Sequence, residues 1–440
     1  MSNISRSILR LAIPNAVANI TVPLLGLIDT AIAGHVAGDS GIGAIALGGA
    51  VFNLLYWNCS FLRMATSGLV GQAYGRADWA VCRKLLLRGV YLAVAISLLF
   101  LLFREDITNI AVWVLSSDNV FQLTTATASY VSIRIWAAPA VLIGYAMQGW
   151  MVGMQKAKLP MVVSIASNIF NIVFSYLFAI NMGMGIDGIA LGTVVAQYLG
   201  TSIWLVGMMS DKVLVSAIKQ RIEKEREAED ISYYNFIKKN VDIFLRTIVL
   251  VAVHCAMTIF AAKEGQTELA TTACLMQFFM LFSYISDALA YAAEALTGKY
   301  IGRDSGGELR AMMVKLGKWS GAMSIVVAIC YLIGWSQFLQ MLGASIEVVE
   351  DAKEYIYWII IITSLSFMAF VEDGIMLGAA NTRAMVVTVW ISGVLGVGTG
   401  AILWSYDVMW ALWGGFGVFM IMRGVLLIPS IKSIVKNTNK

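Results

Sequence analysis

Between residues 7 and 431 the chain consists of about a dozen uninterrupted apolar runs, most of them roughly 20 residues or longer. At 1.5 Å per residue, a helix of about 20 apolar residues crosses the roughly 30 Å of hydrocarbon in a bilayer, so each run is a candidate transmembrane span. The runs fall at 7–35, 43–74, 85–103, 119–150, 159–181, 187–209, 240–262, 267–298, 313–334, 350–378, 384–404 and 407–431. A membrane β-barrel instead requires segments of about ten residues that alternate polar and apolar. Continuous stretches such as Val90 to Phe100 exclude it, and the expected fold class is all-α, an integral membrane protein of twelve transmembrane helices. Charge agrees: 13% of residues are charged, against about a quarter in soluble domains.

Positive charges resist translocation, so Lys and Arg collect on the cytoplasmic side of membrane proteins. With the N-terminus inside, the inner segments hold 26 of them, Arg246 and Arg423 included, and the outer loops hold only Arg104, Lys263 and Lys353. Both termini are therefore expected in the cytoplasm. Arg6 and Arg10 ahead of Ala16-Val-Ala18 imitate a secretory leader, but too few apolar residues precede that site for cleavage to be expected. The five cysteines lie far apart, four of them in apolar runs and none in a C-x-x-C pair, and read as packing residues.

Halfway along, the nearly charge-balanced stretch Lys219 to Asp230 reads as part of a solvated linker, 213–236, between residues 1–212 (helices 1–6) and 237–440 (helices 7–12). The halves repeat. Gly71-Gln-Ala-Tyr-Gly-Arg76 recurs as Gly298-Lys-Tyr-Ile-Gly-Arg303 at an offset of 227, and Met151-Val-Gly-Met-Gln-Lys156 as Met376-Leu-Gly-Ala-Ala-Asn381 at an offset of 225. Six spans return the chain to its starting side, so the halves are expected to be parallel six-helix bundles, an arrangement that commonly places a substrate path between repeats.

An ionisable side chain at the bilayer centre costs about 2.5–3.5 kcal/mol on insertion scales, so such a residue is a functional candidate by default. The first half carries Asp29, Arg63 and Arg134; the second carries His254, Asp287, Glu294, Glu372 and Asp373. Pro23, six residues before Asp29, weakens the helical ladder and is a candidate hinge. Asn168, Asn171 and Ser175 share one helical face, as do Thr193, Gln197 and Thr201. For Asn168, Gln197 and Thr201 the alternative is plain interhelical hydrogen bonding, worth about 0.6 kcal/mol on average. That alternative fits Asp29 less well, because such bonding needs no acid. A low-dielectric environment favours a neutral carboxyl, so Asp29 is expected to load a proton and shift a conformational equilibrium by its differential affinity. One charge crossing 100 mV supplies about 2.3 kcal/mol, enough for a proton gradient to drive such a carrier.

Several of these stretches resemble the multidrug and toxic compound extrusion (MATE) family, in particular its DNA-damage-inducible F (DinF) branch. They are Gly26-Leu-Ile-Asp-Thr-Ala-Ile-Ala-Gly-His35, the segment Phe61 to Gly75, Arg134-Ile-Trp-Ala-Ala-Pro139 with Gly149-Trp-Met-Val-Gly153, Asp287 to Gly298, and Asp373-Gly-Ile-Met-Leu-Gly378. The resemblance implies a V-shaped fold of two six-helix lobes in a bacterial inner membrane. It implies antiport of small organic, often cationic, compounds against protons or sodium. By position, the family's coupling acid falls on Asp29, its fifth-helix asparagine on Asn171 and its sixth-helix threonine on Thr193. Many members carry Asp or Asn where this chain has Ser175, a poorer cation ligand, so proton coupling is expected over sodium. Arg63 and Arg134 are expected to be structural buried charges. Asp287, Glu294 and Asp373, with Asn168 and Gln197, are candidates for the substrate cleft or for secondary polar sites.

The alternative within the same superfamily is a lipid-linked oligosaccharide flippase, against which two intramembrane arginines facing five acids argue. An enzyme is not expected: the two histidines, His35 and His254, lie in different halves, with no H-E-x-x-H, C-x-x-C or Walker A sequence. No cofactor, metal or nucleic-acid partner is expected. The expected partners are the lipid bilayer and the substrate, with the chain acting as a monomer.

Overall fold

The computed structural model describes residues 3–115, 121–210, 232–406, 408 and 410–438, with the backbone alone for 22–25, 39, 40, 114, 115 and 121–123. Among these residues twelve helices are long and apolar enough to cross a membrane. They are α1 (Asn3–Gly38), α2 (Gly41–Gly75), α3 (Trp79–Leu102), α4 (Thr124–Gly153), α5 (Lys158–Asn181), α6 (Gly185–Ser210), α7 (Tyr233–Glu264), α8 (Gln266–Gly302), α9 (Gly306–Met341), α10 (Ile346–Gly378), α11 (Thr382–Ser405) and α12 (Ala411–Asn437). Every apolar run read from the sequence overlaps one of them, residues 119, 120, 407 and 409 lying outside the described residues, and the fold is all-helical. A short helix, Arg104–Leu115, follows α3. The expected linker lies outside the described residues as far as residue 231.

The described chain groups into two compact units, Val17–Asp230 and Ile231–Lys440 with Met1–Ala16. In the first, Ile32, Phe52, Tyr130, Ile135 and Ile189 form one apolar cluster. The second is packed more aromatically, with edge-on pairs Phe278–Phe338 at 4.5 Å and Phe279–Phe416 at 4.9 Å.

The internal repeat is a repeat of packing. A Cβ added to Gly149 of α4 would lie 2.3 Å from the Arg63 carbonyl oxygen of α2, and one on Gly153 would lie 2.8 Å from that of Ser67. In the second half, a Cβ on Gly374 of α10 would lie 2.4 Å from the Ala290 carbonyl oxygen of α8, and one on Gly378 would lie 2.3 Å from that of Glu294. Small residues thus let α4 lie on α2, and α10 on α8, backbone against backbone. The two sets are related by the same offsets, 225 and 227, as the sequence motifs.

The turns that end these four helices repeat as well. Ala77 (φ 58°) and Asp304 (φ 55°) are left-handed, and so are Gln155 (φ 63°) and Ala380 (φ 53°). Each reverses the chain so that the next N–H reaches back to close the helix: Asp78 to the Ala73 oxygen, Lys156 to Met151, Ser305 to Tyr300 and Asn381 to Met376, all 2.9–3.0 Å. A left-handed residue followed by this long-range bond is the usual way to satisfy the last carbonyls of a helix, normally with Gly in that place. Asp78 then caps α3 by accepting from the Val81 N–H at 3.0 Å.

Candidate functional site

Asp29 lies on α1 among apolar side chains: its neighbours Ile28 and Ile32 belong to the cluster that contains Tyr130, Ile135 and Ile189. It is 6% exposed, and its buried Oδ1 accepts no hydrogen bond among the described residues. The cation within electrostatic reach is Arg134 of α4. One Arg134 N–H donates to the Tyr130 hydroxyl, and the guanidinium rests over the Phe52 and Tyr130 rings, 4.9 and 5.4 Å from their centroids. Its Nε and the Tyr56 hydroxyl have no hydrogen-bond partner among the described residues. Phenylalanine and tyrosine faces stabilise a desolvated guanidinium through their quadrupoles, so the cation is held by rings while its charge remains available to the carboxylate.

Arg134 is placed by a local break in α4. Pro139 has no N–H to give to the Ile135 carbonyl, and the Ala138 N–H takes that oxygen instead, tightening Ile135–Ala137 into a 3₁₀ turn directly after Arg134.

Asn171, Ser175 and Thr193 come together. Asn171 Nδ2 donates to Thr193 Oγ1 at 2.8 Å, Thr193 Oγ1 donates to the Ile189 carbonyl at 3.0 Å, and Ser175 Oγ donates to the same carbonyl at 3.4 Å and to Asn171 Oδ1 at 3.5 Å. Glycines permit this: a Cβ on Gly192 would lie 2.5 Å from the Ser175 N, and one on Gly188 2.6 Å from the Ala179 N. Just beyond Ser175, α5 ends in a π-helical turn, Leu177–Asn181, a feature frequent at functional sites. The three side chains bond one another and hold α5 to α6. Asp29, unlike these three, keeps an oxygen without a hydrogen-bond partner among the described residues.

The remaining first-half candidates serve neighbouring crossings. Asn168 Nδ2 donates to the Thr21 carbonyl of α1 at 3.3 Å, and Thr201 Oγ1 donates to the Gln197 and Ala140 carbonyls at 3.0 and 3.2 Å. Gln197 is half-buried, and Arg63 is buried beneath the α2–α4 crossing. The side chain of Pro23 lies outside the described residues; within Asn3–Asn58 the non-helical dihedrals are at Gly38 (φ 58°, ψ −145°).

In the second half, Asp373 of α10 is clamped between two guanidinium groups. Its Oδ2 accepts from Arg246 of α7 and, at 2.5 Å, from Arg423 of α12, and all three residues are at most 6% exposed. This corrects the charge count. Arg246 and Arg423 are not loop residues: they lie inside the apolar runs 240–262 and 407–431 and are buried, which leaves 24 positive charges in the segments expected to be inside against three in those expected to be outside. It also raises the intramembrane arginines from two to four. Alone, the triad carries one excess positive charge. Glu372, 8% exposed and with an Oε2 that accepts no hydrogen bond, sits beside it. Asp287 is half-buried within electrostatic reach of Arg423, and Glu294 is buried under the α8–α10 crossing. His254 Nδ1 lies 2.7 Å from the Leu250 carbonyl, and its ring lies against those of Phe279 and Phe416. Among the described residues no group of three or more His, Cys, Asp or Glu side chains could hold a metal ion.

Comparison with known proteins gives a consistent picture. The family profile described as MatE matches residues 14–177 and 243–402. The chain is 28% identical over 431 residues to the "DNA damage-inducible protein F" of Escherichia coli strain K12, covering 97% of this chain and 92% of that protein. It is 21% identical to the multidrug resistance protein MdtK of Yersinia enterocolitica, covering 98% of this chain and 96% of the relative. The structure superposes on a MOP superfamily transporter from Pyrococcus furiosus with a TM-score of 0.86 at 15% identity, over 100% of this chain and 97% of that one. It superposes on the Vibrio cholerae MATE transporter VcmN in its bent form with a TM-score of 0.85 at 12% identity, over 100% and 98% of the two chains. At such identities the structural likeness speaks for the fold.

Proposed function

Since this chain belongs to the MATE family of multi-pass membrane transporters, we propose that it is a secondary active exporter of small organic, often cationic, compounds, with Asp29 as the coupling acid. Relatives named as multidrug resistance proteins support the substrate range. The observation that carries the reading is the Asp29 carboxylate, buried in an apolar cluster with one oxygen unsatisfied and the Arg134 guanidinium within electrostatic reach.

Ionised, Asp29 is drawn to Arg134, whose Nε and the nearby Tyr56 hydroxyl still have donors to offer. Protonated, it loses that attraction and gains a donor of its own. The two forms favour different positions of α1, and a bend at Pro23 is the hinge on this reading. Proton binding then shifts the population between inward- and outward-open states by its differential affinity, and residues 1–212 and 237–440 move as two lobes joined by the linker 213–236. Proton is favoured over sodium because Ser175 brings a hydroxyl, and no second carboxylate, to the Asn171–Thr193 pair, which is already satisfied within itself.

Two measurements test this. Asp29→Asn, present in the membrane at wild-type level, is expected to abolish substrate efflux; wild-type efflux would refute the assignment. Proteoliposomes under an imposed pH gradient, with and without sodium, are expected to transport in both cases, and strict sodium dependence would overturn the choice of ion. The four intramembrane arginines favour one second reading, a lipid-linked oligosaccharide flippase, but two of them are already neutralised in part by Asp373. Translocation of a fluorescent lipid-linked oligosaccharide, without efflux of organic cations, would select it.

A further inference from the structure

We propose that the C-terminal helix, Ile428–Asn437, lies along the membrane surface and binds the headgroups of acidic phospholipids. α12 is broken at Leu426 and Leu427 into two pieces, Ala411–Val425 and Ile428–Asn437. Pro429 has no N–H to give to the Val425 carbonyl, and the Leu427 N–H reaches back only to the Gly424 carbonyl, at 3.0 Å. The 15 residues of the first piece rise about 22 Å, most of the roughly 30 Å of hydrocarbon, so the second piece begins near the edge of the bilayer. No residue of that second piece is buried. Its apolar side chains, Ile428, Ile431, Ile434 and Val435, follow helical spacing along one face and are half-buried, while Lys432 and Lys436, one turn apart, are exposed at the margin of that face.

A helix with that distribution settles in the interfacial plane, its apolar face among the upper acyl chains and its lysines at the phosphates. The elements beside it supply the same chemistry. The helix packs against α9 and α10. At the start of α9, Arg310, Val314 and Lys318 recur every fourth residue and are exposed on one face. Trp319, exposed next to Lys318, is of a residue type that collects at headgroup level. Arg303, in the turn between α8 and α9, adds a further exposed cation, whereas the acids between residues 302 and 319 are Asp304 and Glu308, and residues 428–440 contain three lysines and no acid. Among the described residues, none of Arg310, Lys318, Lys432 and Lys436 has a carboxylate within ion-pair distance. An acidic phospholipid brings both missing partners, a phosphodiester for the cations and acyl chains for the apolar face. A soluble anion brings only the first.

The test uses the full-length protein in maltoside micelles, titrated with dioctanoyl-phosphatidylglycerol and with zwitterionic dioctanoyl-phosphatidylcholine, the bound lipid being counted by native mass spectrometry. A preference of at least tenfold for the acidic lipid is expected, and it should shrink as salt is added. Lys432→Gln combined with Lys436→Gln, both at exposed side chains, is expected to cut that preference about tenfold, since a lysine near an acidic surface is worth about fivefold. Arg310→Gln combined with Lys318→Gln is expected to cut it severalfold. Lys353→Gln, an exposed lysine at the far end of α10, is expected to leave it unchanged. Ile431→Ser combined with Ile434→Ser is expected to weaken both lipids alike. An undiminished preference in the Lys432 and Lys436 double variant would overturn the proposal, as would an equal loss in Lys353→Gln. Binding of free glycerol 3-phosphate as tight as that of the lipid would show a soluble-anion site and overturn it too. So would a dimer that Ile431→Ser with Ile434→Ser dissociates, because a second copy would then cover the apolar face.

Discussion

Asp373→Ala is the substitution whose cost the structure specifies most directly. It removes the one carboxylate that both Arg246 and Arg423 contact, and leaves two guanidinium groups, 6% and 4% exposed, side by side. Removing one partner of a buried ion pair costs about 3–5 kcal/mol, because the remaining charge is uncompensated. Here two like charges remain, which adds repulsion, while the adjacent Glu372 carboxylate can turn towards them and recover part of the loss. For a unit of roughly 200 residues each kcal/mol moves the unfolding midpoint by about 2–4 °C, so a drop of about 6–20 °C is expected. Thermal denaturation of the detergent-purified protein, followed by tryptophan fluorescence at one fixed scan rate because unfolding of such proteins is commonly irreversible, measures it. Glu372→Gln in the Asp373→Ala background should deepen the loss beyond the sum of the two. Replacing all three members at once together with the adjacent acid, Arg246→Met, Asp373→Leu, Arg423→Met and Glu372→Gln, should be neutral or stabilising by up to about 4 kcal/mol, since the cluster then holds no buried charge. A midpoint unchanged by Asp373→Ala would refute the clamp.

The repeat makes a paired prediction: Gly149→Ala and Gly374→Ala, whose new Cβ atoms would lie 2.3 and 2.4 Å from a facing carbonyl oxygen, should each cost about 1–3 kcal/mol of thermal stability, whereas Gly317→Ala, with nothing within 4 Å, should cost none. Gln155→Gly relieves a left-handed side-chain-bearing residue at φ 63° and should raise the midpoint, by about 0.5 kcal/mol once the flexibility of glycine in the unfolded chain is counted. Ser175→Asp places a carboxylate beside Asn171 and should make efflux respond to sodium in proteoliposomes; efflux at the wild-type rate and indifferent to sodium would remove Ser175 from the choice of ion.

The twelve helices could be read from run lengths because lipid offers the backbone no hydrogen bonds, and a spanning segment of this kind has only the helix to adopt. Asp29 could be read for a similar reason, as a lone acid in an apolar run. The polar faces that carry Asn171 and Thr193 could be read from helical spacing, whereas the contact between the two side chains could not. The Asp373 clamp did not: its partners are 127 and 50 residues away in the sequence, on helices that no local pattern pairs. The expectation of an inward bias of positive charge absorbed Arg246 and Arg423 into loops although both stand inside apolar runs. The left-handed turns at Ala77, Gln155 and Ala380 were equally hidden, since none of these residues advertises a positive φ as Gly does.

The two halves share a scaffold and treat their buried acids oppositely, and the magnitudes decide which acid can take part in a cycle. Separating Asp373 from either arginine costs about 3–5 kcal/mol, more than the roughly 2.3 kcal/mol that one charge gains in crossing 100 mV. A conformation with this clamp open would therefore lie about 3–5 kcal/mol above the closed one and be populated below about 1%. Asp29 carries no such penalty. Its Oδ1 accepts no hydrogen bond and Arg134 is held chiefly by Tyr130 and two rings, so a proton arriving there adds a donor without first destroying a bond to that oxygen. On this reading the second half supplies a fixed electrostatic frame, and the ion-dependent step belongs to the first. Asp373→Ala should therefore lower stability and activity together, whereas Asp29→Asn should remove transport from a protein that melts where the wild type does. A transport-dead Asp29→Asn that also lost several degrees of stability would instead assign that carboxylate to the frame.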